Sequence, residues 1–259
     1  AERIPFTDTN KADKAKALAE EWSKLIAAGQ ASFFASWPPV KDILIRLKTP
    51  HTVLSLEDIH ALGLFCRSAL GVKRFFDSDS SESAGAQFED TQTGLFAGIR
   101  SLREAAQNLP DLKAASAKIF RIIDSSGALR NISELQEVKS SIQSIRKSID
   151  HLIKSYTSGE RFQNALQSTL PVLRGGRQVL ALKADYRGKI KGIVHELSQT
   201  GQTLYIEPYD VVQKNNDLIR EEFRLEQEIR RILASLSDEL HAFAGDFESA
   251  SEGMAELDL

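Results

Sequence analysis

The chain has 259 residues, of which 42% are hydrophobic and 27% charged, with a formal net charge of −3. These values suit one large or two medium globular domains and exclude wholesale disorder. No run approaches 18 consecutive apolar residues, so neither a membrane span nor a membrane partner is expected. The first residues carry no signal-peptide or transit pattern. Cys66, the single cysteine, cannot form an internal disulfide, which points to a reducing, cytoplasmic setting, and its apolar surroundings point to core burial. The start at Ala1, a lone methionine at Met254 and a C-terminus without a clear stop signal lead us to expect a piece of a longer protein.

Helical signals dominate the chain. Thr7, Asp8, Thr9 and Asn10 offer caps for a helix to about Ala28, closed by Gly29 and striped by Leu18, Trp22, Leu25 and Ile26. After Pro38-Pro39, Val40 to Leu47 fits a short helix. Ser55 with Asp58 reads as a capping box that opens an apolar helix to Phe76. The polar stretch Asp77–Ala86 reads as a mobile loop. Two further helices are expected at about Leu95–Leu109 and Pro110–Ile123, with Pro110 in the first turn of the second. From Ile132 the apolar positions Leu135, Val138, Ile142, Ile145, Ile149 and Leu152 recur at steps of three and four, a narrow coiled-coil-like seam to about Thr157. A second long helix is expected from Val211 to about Ala244, carrying Leu218, Leu225, Ile229, Ile232, Leu236, Leu240 and Phe243. Neither long helix is apolar all round, so the two seams are expected to pair.

Between these helices lie three β-rich segments, Gln178–Ala184, Ile190–Glu196 and Gln202–Ile206, with Pro208 ending the last. The order helix, small sheet, helix puts the sheet at the tip of a helical arm. The expected fold is mainly α: a helical core domain over residues 1–130, an ascending long helix within 131–170, a small β tip at 171–207 and a descending helix within 208–259.

Charge is unevenly spread. Residues 171–192 hold six basic residues against one acidic, whereas 193–259 hold five against fifteen. The six cations, Arg174, Arg177, Lys183, Arg187, Lys189 and Lys191, are the candidate nucleic-acid-binding residues, because Arg and Lys hold phosphate without reading sequence. Gly175-Gly176 and Gly188 would let a nucleic-acid strand come close to the backbone. His195 reads as a satisfied structural histidine rather than a contact residue. No phosphate-cradling Gly-rich loop, dinucleotide fingerprint, nucleophile elbow or metal-ligand spacing occurs, so no catalytic, cofactor-binding or metal-binding residue is assigned and the chain is not expected to be an enzyme.

The run QVLALKADYRGKIKGIVHELSQTGQTLYIEP, followed by VVQKNNDLIREEFRLEQEIRRIL, resembles the MutS family. It is most similar to the bacterial branch that suppresses recombination and carries a C-terminal Smr domain. The likeness is strongest over 175–235; Leu56–Phe76 is similar to the helical core of that branch, and the closing AELDL resembles the sequence before its ATPase domain. The resemblance implies a core domain, two levers, a clamp-like tip at 171–207 and a second lever leading to an ATPase outside this sequence. It further implies branched or junction DNA as ligand, control of homologous recombination, a homodimer in the full-length protein, and ATP with Mg bound by the parent rather than by this stretch. A mismatch-repair label follows from the family name, yet the Phe-x-Glu wedge is absent, since Phe88-Glu89 and Phe247-Glu248 are adjacent pairs. The alternative reading is a lever or interaction arm without DNA binding of its own, one that docks on the ribosome.

Overall fold

A computed structural model describes residues 9–28, 36–77 and 99–257. Among these residues it is mainly helical, with nine α-helices and one four-stranded antiparallel sheet. The chain divides into two compact units, one formed by 1–130 with 232–259 and the other by 131–231.

In the first unit the helices are α1 (Thr9–Ala27), α2 (Lys41–Lys48), α3 (Leu56–Asp77), α4 (Arg100–Gln107), α5 (Lys113–Ile122) and, from the far end of the chain, α9 (Ala244–Leu257). Leu18 and Leu25 of α1 are buried as the stripe requires, but Ile26 is 63% exposed and lies off it. The capping box at α3 forms: the Asp58 N–H donates to Ser55 Oγ at 3.1 Å and the Ser55 N–H to Asp58 Oδ2 at 3.3 Å. Ser55→Ala should therefore cost about 1 kcal/mol, read as a fall in the unfolding midpoint with an unchanged denaturant slope.

Helix α4 takes its cap from elsewhere in the chain. Buried Glu21 of α1 accepts from the Ser101 and Leu102 N–H groups at 3.1 and 2.8 Å, placing a carboxylate on the positive end of the helix. Helix α5 starts at Lys113 rather than at Pro110. Asp111 Oδ1 accepts the Lys113 N–H at 2.9 Å, a local bond that sets the first turn later than proline placement alone suggests. The Cys66 thiol is buried as expected, and that burial pushes its pKa up to about 12. The expected loop at Asp77–Ala86, all but its first residue, together with Gly29 and the segment before Ile99, lies outside the described residues.

The second unit is built on α6 (Ser133–Thr157), followed by the short α7 (Glu160–Gln163) and the sheet. Helix α8 (Tyr209–His241) begins in this unit and continues into the first. Val138, Ile142, Ile149 and Ile153 of α6 share one core with Val211 and Leu218 of α8 and with Leu180, Leu182, Leu204 and Ile206 of the sheet. The flanks of the seam carry opposite charges, with Arg146 on Glu222 at 2.7 Å and Arg224 on Glu137 at 3.6 Å. The Tyr156 hydroxyl donates to Asp210 at 2.9 Å. Contact positions rise along α6 as they fall along α8, so the pair is antiparallel. Farther on, Leu233, Leu236 and Leu240 of α8 are buried within the stretch that belongs to the first unit. The helix stops at His241, and the Phe243 N–H reaches back to Leu240 O at 2.9 Å in a tight last turn before α9.

Candidate nucleic-acid interface

The sheet has the order β1-β2-β4-β3, with β1 Val172–Arg174, β2 Arg177–Lys183, β3 Gly192–Leu197 and β4 Thr203–Pro208, all antiparallel. Strand β1, which the sequence pattern does not announce, pairs with β2 across a two-residue turn. Gly175 and Gly176 have φ of 55° and 77°, the backbone that a tight hairpin with right-handed strands demands. Hairpin geometry thus accounts for this glycine pair, in place of close approach by a ligand.

Between β2 and β3 the chain makes a 3-10 turn at Ala184–Tyr186 and then the segment 187–191. Hydrogen bonds from Arg187 N–H to Ala184 O (3.1 Å) and from Lys189 N–H to Tyr186 O (3.0 Å) close it, and Gly188 takes φ 90°. Ile190 is buried in the core of the unit, and the Tyr209 N–H holds Lys191 O at 3.2 Å. One apolar anchor therefore sits between exposed Lys189 and Lys191, with exposed Arg187 just before them.

The six expected cations separate into two groups. Arg187, Lys189 and Lys191 are exposed on this one turn and take part in no salt bridge among the described residues. The other three are engaged within the unit. Arg174 pairs with Glu196 and lies 4.2 Å over the Tyr205 ring. Lys183 donates to Asn164 O at 3.0 Å. Arg177 donates to Glu207 Oε1 at 2.7 Å and also to Asn216 Oδ1.

Glu207 is the residue that sequence reasoning missed. Its side chain has 0% exposure, an expensive place for a charge unless every oxygen is met. His195 Nε2 lies 2.7 Å from Oε2, while Asn215 Nδ2 donates to Oε1 at 2.8 Å. Burial alone would raise the Glu207 carboxyl; the Asn215, His195 and Arg177 bonds outweigh it and hold the group below its ordinary 4.5. His195 reaches this partner from a β-bulge. The ladder pairs Val194 with Ile206 and then Glu196 with Tyr205, leaving His195 as the extra residue. Asn215 also links α8 to β2, donating to Gln178 O at 3.2 Å. Gly192 allows β3 to close on β4, since a Cβ there would strike the Glu207 carbonyl oxygen. The sequence carried no signal for Glu207, since alternation along QTLYIEP puts it on the face opposite the core residues Leu204 and Ile206.

No group of three or more potential metal ligands occurs among the described residues. No helix of the described residues is long and apolar enough to cross a membrane. The glycines with positive φ around the sheet close strand turns and do not open a helix.

Residues 131–231 thus combine two long antiparallel helices, a small sheet and a cationic turn. No family model matches the chain. It is 33% identical over 186 residues to a protein named Endonuclease MutS2 from Leuconostoc citreum, covering 71% of this chain and 22% of that one. The protein of the same name from Caldanaerobacter subterraneus subsp. tengcongensis is 34% identical over 200 residues, 75% of this chain and 24% of its own. That from Lactococcus lactis subsp. cremoris is 28% identical over 247 residues, 94% and 29%. The chain belongs to this MutS2-like family. It spans between 22% and 29% of the length of these curated relatives.

Proposed function

We propose that this chain is the core, lever and clamp-like part of a cytoplasmic MutS-like ATPase that holds branched DNA and limits homologous recombination. The observation that carries the reading is the turn in which Arg187, Lys189 and Lys191 are exposed around the buried Ile190. Three cations fixed on one turn offer a rigid electrostatic contact to a sugar-phosphate backbone, with no base readout. The chain itself does no chemistry in this proposal. ATP with Mg, and the endonuclease activity in the relatives' name, belong to other parts of the full-length protein, as does the contact that forms a homodimer.

The test is binding of the chain to four-way-junction, duplex and single-stranded DNA across a salt series. With three phosphates neutralised, the turn should contribute about 2.7 units to the log-log salt slope on duplex DNA. Arg187→Glu, Lys189→Glu and Lys191→Glu together should abolish that part of the slope and weaken junction binding at least tenfold. Unchanged junction binding in this variant overturns the turn as the contact. Binding to ribosomal subunits with none to naked DNA would instead make the turn an arm that docks on the ribosome.

A further inference from the structure

The first unit holds a second cationic feature, formed by none of the six candidate cations of residues 171–192. Helices α3 and α5 border a groove of about 530 Å³ lined by Arg67, Leu70 and Arg74 of α3 and by Lys113, Ser116 and Phe120 of α5. The spacing on each helix is three, four and seven residues, so one face of each helix contributes the whole lining. Three cations and one hydroxyl surround a floor of Leu70 and Phe120, and no carboxylate is part of the lining. Lys113 has an acidic neighbour just outside, Asp111 Oδ2 at 3.7 Å. Asp111 also meets the start of helix α5, its Oδ1 accepting the Lys113 N–H at 2.9 Å, so the positive charge of the groove rests on its three side chains and not on the helix end.

The arrangement of Arg67 says more than its charge. Its guanidinium carbon lies 3.5 Å from the centre of the Phe120 ring, so the two planar groups are stacked. The stack is built into the helix packing. A Cβ on Gly63, one turn earlier in α3, would meet Phe120 Cζ and Ile119 Cγ2 at 2.9 Å each, so glycine in mid-helix makes the room that seats the ring. Arg67 itself is exposed, which leaves the outer face of its guanidinium to solvent. A fixed guanidinium plane is a surface on which an unpaired base stacks, and neighbouring cations then take the flanking phosphates. A site for an acidic peptide or a free phosphate has no use for such a plane.

We propose that this groove is a contact for single-stranded nucleic acid: one unpaired base stacks on Arg67 while Arg74 and Lys113 hold the adjoining phosphates. It rests on the reading of the chain as nucleic-acid-binding and adds a second, strand-selective site to the backbone-holding turn. Branched substrates with gaps, flaps or single-stranded arms contain the unpaired nucleotides that such a site accepts.

The experiment uses the chain as it stands, with fluorescein-labelled oligo-dT, oligo-U of equal length and a fully paired duplex as probes. Arg67→Glu with Arg74→Glu should lower affinity for the single strands at least tenfold. It should also reduce their salt slope by about 0.7 units, for the one phosphate that Arg74 no longer neutralises. Arg67→Lys keeps the charge and removes the plane. It should cost about fivefold or more on single strands, the lower end of what one base stack is worth, and leave duplex binding as it was. Equal losses on oligo-dT and oligo-U support a site indifferent to the sugar; a loss on one alone supports a site selective for that nucleic acid. Single-strand affinity unchanged in both variants overturns the proposal. So does displacement of oligo-dT by oligo-glutamate of equal charge as readily as by unlabelled oligo-dT. If the turn reversal removes duplex and junction binding while the groove variants bind all probes normally, the turn survives and the groove falls. If the groove variants lose single strands while the turn reversal leaves junction binding unchanged, the groove survives and the turn falls.

Discussion

Arg177→Ala is expected to lower the stability of residues 131–231 by about 3–5 kcal/mol, the usual cost of stripping one partner from a buried ion pair. Arg177 Nη1 stands 2.7 Å from a carboxylate with no exposed surface. Its removal leaves the Glu207 carboxylate with Asn215 and His195 as its remaining side-chain partners, or requires a proton to be taken up. Hydrogen exchange at the β2 and β4 amides should report the loss, because both strands border the network. Adding Glu207→Gln to Arg177→Ala should restore part of it, since the orphaned charge goes with the carboxylate. The pH dependence has a definite sign. A carboxyl held below its ordinary 4.5 contributes stability that is fully present above that value and is lost as pH falls through the lower native one. In Arg177→Ala the loss should begin at a higher pH. A change below about 1 kcal/mol, with the same acid limb as the parent, would mean that Glu207 is not desolvated.

In the first unit the largest effect is expected from Phe65→Ala, at about 3–5 kcal/mol. Phe65 has 0% exposure and sits on α3 between Leu62 and Ala69, on the face that also buries Ile59 and Cys66. Truncation removes apolar surface and leaves a cavity that rigid helical neighbours fill poorly. Phe65→Leu, which keeps much of the volume, should cost distinctly less. Denaturant midpoints of the two variants check both statements; near-equal values would mean that the site collapses around the gap.

Much of this architecture was legible because it follows from periodicity. The steps of three and four from Leu135 to Leu152 state a helical seam, and Val138, Ile142 and Ile149 lie in the core as that seam requires. Ser55 and Asp58 form the box that their spacing suggests. The three longer strands lie close to where β-branched and aromatic residues cluster. What escaped depends on partners distant in sequence. Strand β1 is three residues long and exists because β2 offers it a ladder. Glu21 caps a helix that begins 79 positions later. The six cations of 171–192 look alike in sequence. Only the fold tells Arg177, taken by Glu207 and Asn216, from Lys189 on the open turn. Glu207 itself was invisible because a strand position gives no hint that three donors will converge on it.

Strand β3 forms one border of its sheet, and every residue from Ile193 to Leu197 is exposed, three of them aliphatic. Such a border invites growth: the main chain of another molecule can continue the ladder and start an aggregate. The bulge at His195 breaks the regular repeat of donors and acceptors that a newcomer would have to match, and the Glu207 bond keeps that irregularity in place. The same histidine that completes a buried charge network thereby guards the protein against self-association at its most vulnerable margin.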